Sequence, residues 1–230
     1  MSVIRGARER ARIEVTGAIK EEARRQLAAE GAARLSLRAV ARELGMVSSA
    51  LYRYFPSRDE LLTALIIDAY DALGEAAEAA LAATAGDRSG ERWIAVCRAT
   101  RTWALAHPHE YALLYGSPVP GYTAPQDTIA PASRVGLALV AIARDAHAAG
   151  ELTAPANGPL PDEVGTDVER FAAEWASDLP KPTLAGLTAA WSQLFGLIGF
   201  EVFGHFHRVV EARDAFFDHS CAALARQVGL

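Results

Sequence analysis

The chain has 230 residues, 51% of them apolar, and a formal net charge of −5. That length and apolar content allow one large or two modest domains able to bury a sizeable core without staples. Only two cysteines occur, Cys97 and Cys221, and nothing in their spacing demands a bridge.

The charge is unevenly divided. Residues 1–60 carry 12 Lys/Arg against 8 Asp/Glu, whereas residues 61–230 carry 11 against 20. A polyanion would be drawn to the first segment and repelled by much of the second. No secretory apolar run precedes the charges at Arg5, Arg8, Arg10 and Arg12. The nearest approach to a membrane span is the glycine-broken stretch 194–200. A soluble, cytoplasmic protein with no membrane partner is expected. Alanine and leucine dominate and β-branched residues are sparse, so the expected fold is all-α.

In chain order, the spacing predicts a first helix over about 8–30, with Ile13, Ala18 or Ile19, Ala23 and Leu27 on an apolar stripe and Gly31 as its stop. Ser36 precedes Leu37, Val40, Ala41 and Leu44, an i, i+3, i+4, i+7 pattern that Gly45 ends. A short third helix follows over about 48–55, closed by Pro56. A fourth opens near Ser57, with Asp59 and Glu60 in its first turn, and runs to about Ala83. Residues 86–90 read as a loop. Trp93, Val96, Cys97, Thr100 and Trp103 or Ala104 mark a fifth helix, which must stop near His107 because Pro108 follows. Residues 115–125 read as irregular, 127–149 as a long helix, and 152–165 as the most loop-like stretch. A short helix is predicted over 167–175, and two final helices over 183–208 and 213–228.

The segment 35–62, LSLRAVARELGMVSSALYRYFPSRDELL, has the order of a helix-turn-helix that reads duplex DNA. Ala39, Val40 and Ala41 suit close packing of its first helix, and Gly45 can take a positive φ at the turn. Burial of Ala50 and Leu51 would leave Ser48, Ser49, Arg53 and Tyr52 near base edges or backbone. The hydroxyls of Tyr52, Tyr54 and Ser57 and the guanidinium of Arg58 suit phosphate. Arg5, Arg8 and Arg10 would add a flexible cationic arm. Each residue has a duller reading: Tyr52 as a core ring, or Arg58 as a partner of neighbouring carboxylates. Their order, more than any one of them, carries the expectation.

On AVARELGMVSSALYRYFPSRDELL the chain resembles the TetR family of transcriptional regulators. The resemblance implies a DNA-binding domain over 1–57 and a helical effector-binding and dimerisation domain over 58–230. It carries core packing onto Val40, Ala41, Leu44, Leu51 and Phe55, and phosphate contact onto Tyr52, Tyr54 and Arg58. Where the family has Val-Ser after the turn glycine, this chain has Met46–Val47, so Ser48 is expected to take over the helix cap. Residues 93–122 resemble the C-terminal domain named for a Trp-His-Gly signature, here Trp103, His107 and Gly116, with Pro118, Gly121 and Tyr122 extending it. The implied protein is a repressor-like homodimer that binds palindromic duplex DNA and is released by a small molecule.

For the effector, Trp103, Tyr111, Tyr115, Tyr122 and Trp175 offer large rings with polar handles, suited to a small, largely apolar ligand. Each could equally be an ordinary core ring, and His107 reads better as a helix cap than as a ligand contact. For dimerisation, Leu187, Trp191, Leu194, Phe195, Ile198 and Val202 form one wide apolar face, which Phe216, Phe217 and Leu224 of the last helix would complete. Gly196, Gly199 and Gly204 would permit close helix approach. No metal site is expected of His205, His207 and His219, which lack carboxylate or thiol partners at ligand spacing. No cofactor loop or catalytic motif is present, so no enzyme is expected. The rival readings are a helical small-molecule carrier or enzyme without DNA binding, and a scaffold using the face at 183–208 for a different protein.

Overall fold

The computed structural model describes the backbone of residues 2–153 and 159–230 and, apart from Ser2–Arg5, their side chains. Pro155 and Gly158 of the expected loop therefore lie outside the described residues, as does the side chain of Arg5. Among the described residues there are ten α-helices and no strand. They are α1 (Ser2–Glu30), α2 (Leu37–Glu43), α3 (Ser48–Leu51), α4 (Arg58–Ala83), α5 (Ser89–Ala106), α6 (Pro108–Tyr115), α7 (Ile129–Ala148), α8 (Asp162–Trp175), α9 (Lys181–Val202) and α10 (Arg213–Val228). The expected all-α fold is the one found.

The helices pack as two compact units, one built from residues 1–70 and 108–129, the other from 71–107 and 130–230. In the first, Ile19, Ala23 and Leu27 of α1 meet Leu37, Val40 and Ala41 of α2, Leu51 of α3 and Leu61, Leu62 and Leu65 of α4 in one core. Asp68 of α4 receives Lys20 Nζ at 2.7 Å and Arg24 Nη2 at 2.8 Å, which pins α1 along α4. Ile13 was expected on this stripe but is 63% exposed, because α1 runs past the helices that cover its apolar side. Helix α6 has no periodic signal in eight residues. Its N-terminal Pro108 gives it away, since the ring's fixed φ suits the first helical position and its missing N–H is not needed there.

In the second unit, α9 packs against α5, α8 and α10. At Gly186 α9 lies close against α10, as a Cβ there would stand 3.1 Å from the Gln227 carbonyl. Gly196, expected to serve that purpose, instead faces open space. Arg101 of α5 ties three helices together. Its Nε and Nη2 donate to both Glu201 oxygens at 2.6 and 2.7 Å, Nη2 lies 2.8 Å from Asp214, and its plane sits 5.0 Å over the Phe217 ring. Cys97 and Cys221 are buried free thiols on α5 and α10. A hydrogen bond between them, with burial, pushes the Cys97 thiol well above its ordinary range.

Helices α8 and α9 depart from their expected bounds. Helix α8 begins at Asp162 rather than 167, with Asp162 and Glu163 in a first turn that favours acidic side chains. Helix α9 ends at Val202 rather than 208. Gly204 takes φ 78° and His205 N–H turns back to the Phe200 carbonyl at 2.8 Å, a left-handed helix stop. Helix α9 is long and apolar enough to cross a membrane by length and composition alone, yet Leu184, Leu187, Leu194 and Ile198 on it are core residues.

The expected dimer face needs correction. Leu187, Leu194, Phe195, Ile198, Phe217 and Leu224 are buried inside the single chain. They fill its core, which leaves them little surface to offer a partner. Of that set, Trp191 and Phe216 are exposed and Val202 is half-buried.

Candidate nucleic-acid interface

The helix-turn-helix is built by capping and by one glycine. Ser36 Oγ accepts the Ala39 N–H at 3.4 Å, so α2 starts where its first apolar residue does. At its end Gly45 takes φ 63°, and Met46 N–H reaches back to the Ala41 carbonyl at 2.8 Å. The chain then enters α3 from Val47, which holds the extended conformation of an N-cap (φ −70°, ψ 136°) but has no side chain able to accept a hydrogen bond. Ser48 is the first helical residue and does not replace the missing cap. The cap is lost, not moved.

Helix α3 is one turn long, shorter than the expected 48–55. After Leu51 the hydrogen bonds tighten, Arg53 N–H donating to Ala50 and Tyr54 N–H to Leu51 at 3.3 and 2.8 Å. This short element still sorts its side chains. Leu51 is fully buried, whereas Ser48, Ser49, Tyr52 and Arg53 are exposed. Tyr52 is therefore not the core ring of the duller reading. Tyr54 is half-buried against the head's core, with the Arg12 guanidinium 5.8 Å from its ring centre.

Ser57 and Arg58 have structural duties. Ser57 Oγ accepts the Glu60 N–H at 3.1 Å and caps α4. Arg58 Nε donates to the Leu35 carbonyl at 3.1 Å, and Nη2 to those of Ala32 and Ala33 at 2.8 and 3.3 Å. Its fork thus closes the carbonyls of the α1–α2 connection onto the start of α4. The flexible arm expected of Arg5, Arg8 and Arg10 is a continuous part of helix α1.

The residues expected to line an effector site divide between the units. Tyr111, Tyr115 and Tyr122 belong to the first, and Trp103 and Trp175 to the second. In the first unit Tyr115 lies 6.1 Å from Tyr70 edge-on and 5.1 Å from Tyr111, and Tyr122 Oη hydrogen-bonds Thr63 Oγ1 at 2.8 Å. Burial pushes the phenols of Tyr70, Tyr111 and Tyr115 upward, so all three stay neutral donors. Tyr70 was missed in the sequence because it sits on the α4 stripe like any core residue. His107 is a cap, as expected: its backbone N–H and its Nδ1–H both reach the Trp103 carbonyl at 2.9 Å, with the ring stacked on Trp103. Among the described residues no group of three or more His, Cys, Asp or Glu could hold a metal ion.

Two family models match the chain. Residues 19–65 match the one described as bacterial regulatory proteins of the tetR family, and residues 93–224 the tetracyclin repressor-like C-terminal domain. The chain belongs to the TetR family. The HTH-type transcriptional regulators Rv1816 of Mycobacterium tuberculosis and Mb1846 of Mycobacterium bovis are each 43% identical over 204 residues, covering 87% of this chain and 86% of theirs. Among solved structures, SCO4313 aligns with TM-score 0.76 at 35% identity over 94% of this chain and 97% of its own. A Rhodococcus protein of unknown function (TM-score 0.70, 23% identity, 94% and 95% covered) shares the fold. The C-terminal match supports the TetR assignment at the level of the family; the Trp-His-Gly subtype stays a resemblance. TetR regulators pair a DNA-binding N-terminal domain with a ligand-binding C-terminal one, and they are not enzymes.

Proposed function

We propose that this TetR-family protein is a cytoplasmic, homodimeric repressor that binds a palindromic operator through α3 and leaves it when a small, largely apolar effector binds. The observation that carries the reading is the sorting along α3 and the turn that continues it: Leu51 fully buried, with Ser48, Ser49, Tyr52 and Arg53 exposed. Arg53 has no ion-pair partner among the described residues, which leaves its fork available for guanine. Such a contact is worth about 1–3 kcal/mol of base discrimination. Ser48, Ser49 and Tyr52 supply hydroxyls to bases or phosphates, while Tyr54 and Arg58 hold the frame. A division of labour follows, with the head at 1–57 for DNA and 58–230 for sensing and pairing.

The dimer face consists of what α9 and α10 leave uncovered. Thr188, Ser192, Gly196, Phe200 and Phe203 share one exposed side of α9, and Phe216, His219 and Ala223 one side of α10. Two such heads reading two half-sites explain why a one-turn recognition helix suffices. The four-tyrosine cluster offers apolar walls with neutral donors for an effector. Such an effector weakens operator binding only by favouring the dimer state that binds DNA less well.

Selection of bound duplexes from a random pool tests the reading. Wild type should enrich a palindrome, and Arg53→Ala should relax preference at one position of each half-site. Failure to enrich any palindrome would sink it. Gly196→Arg, at a position where an added side chain meets nothing within the chain, should yield a folded monomer in sedimentation.

A further inference from the structure

Helix α1 is much longer than the head needs. Its core contacts begin at Val15 and Ile19, while every residue from Ala7 to Glu14 is exposed. Four consecutive buried or half-buried positions, Val15, Ile19, Ala23 and Leu27, define the side of α1 that faces the head. Counted back by helical repeat, positions 12 and 8 fall on that same side, and both are arginine. Glu14 and Arg10 lie on the opposite side, and Glu9 on the flank. The side that is apolar where the head covers it thus becomes cationic where the head ends.

The cations of this unit fall into two groups. Lys20, Arg24, Arg25, Arg42 and Arg58 are engaged by carboxylates. Arg8, Arg10, Arg12, Arg34, Arg38 and Arg53 have no ion-pair partner among the described residues, and of these only Arg8 and Arg12 lie on the head-facing side of α1 before its core contacts begin. Arg12 instead holds its guanidinium 5.8 Å from the ring centre of Tyr54, three residues beyond the end of α3. That contact sets the free end of α1 beside the element that reads DNA.

We infer that the first turns of α1 are a helical arm that lies along the DNA backbone outside the bases read by α3, with Arg8 and Arg12 on phosphates. The inference rests on the operator-binding reading and replaces the flexible arm expected of Arg5, Arg8 and Arg10 with a rigid one whose contacts are Arg8 and Arg12 and not Arg10. A helical arm presents its arginines at fixed spacing and loses little entropy on binding, unlike a flexible tail. It reads no sequence; it adds affinity, salt dependence and footprint length.

The test uses the full chain and its selected operator, as a long duplex and as one trimmed to the bases read by α3. Arg8 makes no hydrogen bond or ion pair among the described residues, so Arg8→Gln should leave the fold intact. It should lower affinity for the long duplex and reduce the slope of log K against log salt by about 0.9, and Arg8→Gln/Arg12→Gln by about 1.8. On the trimmed duplex both variants should match wild type. Arg10→Gln makes the same charge change on the opposite side and should leave the slope within half a unit of wild type. An unchanged slope for Arg8→Gln, or an equal loss for Arg10→Gln, overturns the arm while operator binding by wild type stands. Absence of any operator binding by wild type overturns the regulator reading, and the arm with it.

Discussion

Replacing Arg101 by methionine isolates the cost of leaving one carboxylate unpaired inside the second unit. The Glu201 side chain is 6% exposed and takes both of its charge-assisted hydrogen bonds from Arg101, at 2.6 and 2.7 Å, whereas Asp214 is 91% exposed and indifferent to the loss. Removing one member of a buried pair costs about 3–5 kcal/mol. The two short bonds from Arg101 are the charge compensation that Glu201 has in the buried position, so their loss falls on a carboxylate that is 6% exposed. We expect Arg101→Met to lose about 3–5 kcal/mol. Arg101→Met/Glu201→Leu, which removes both charges, should return to within about 1 kcal/mol of wild type. Urea unfolding followed by circular dichroism and tryptophan fluorescence, with coincident transitions, gives these differences. A deficit below about 1 kcal/mol for the single variant, or a double variant no better than the single, would refute the account.

Three further outcomes follow from local geometry. Val47→Ser restores an acceptor to a residue that already has cap conformation and is 70% exposed, so it should stabilise the head by about 1 kcal/mol in thermal melts; no gain would mean the hydroxyl cannot reach the first turn. Gly229→Ala should destabilise by more than about 1 kcal/mol, since φ is 103° and the new Cβ would stand 2.3 Å from the Thr153 carbonyl. In an acid titration Asp218 and Glu78, held low by hydrogen bonds from Arg98 and Arg134, contribute stability that is whole above the ordinary carboxylate range. It is lost as pH falls through their depressed values. Both are partly exposed, so the effect should be modest and screened by salt; acid unfolding unaffected by Arg98→Met and Arg134→Met would contradict it.

The head was legible because its signals are local and redundant. Ser36, the stripe Leu37–Val40–Ala41 and Gly45 each act within one turn of themselves, and each does in the structure what its spacing predicts, whereas Ser57, read as a phosphate contact, caps α4. Val47 is a further exception. A missing cap was visible, but whether Ser48 would replace it depended on which residue first takes helical dihedrals, and that is set by the turn at Gly45. Helix α6 and the early start of α8 were hidden for a related reason: Pro108 and Pro161 read as breaks, when a proline also begins helices.

The interface residues were harder to read because a long-range partner decides what each is for. Arg53 and Arg58 look alike in sequence, two arginines flanking an aromatic run. One is left exposed; the other spends its fork on the carbonyls of Leu35, Ala32 and Ala33, some twenty-five residues upstream. The same problem recurs on α9, where Leu194 and Phe200 are equally apolar but only one is covered by its own chain. Periodicity places residues on faces and cannot say which face the chain itself will cover. A cation or an apolar ring becomes evidence for a partner only after the intramolecular partners have been assigned. By that criterion Arg53 and the exposed side of α9 gain weight as contact surfaces, while Arg58, Leu187 and Leu194 lose it.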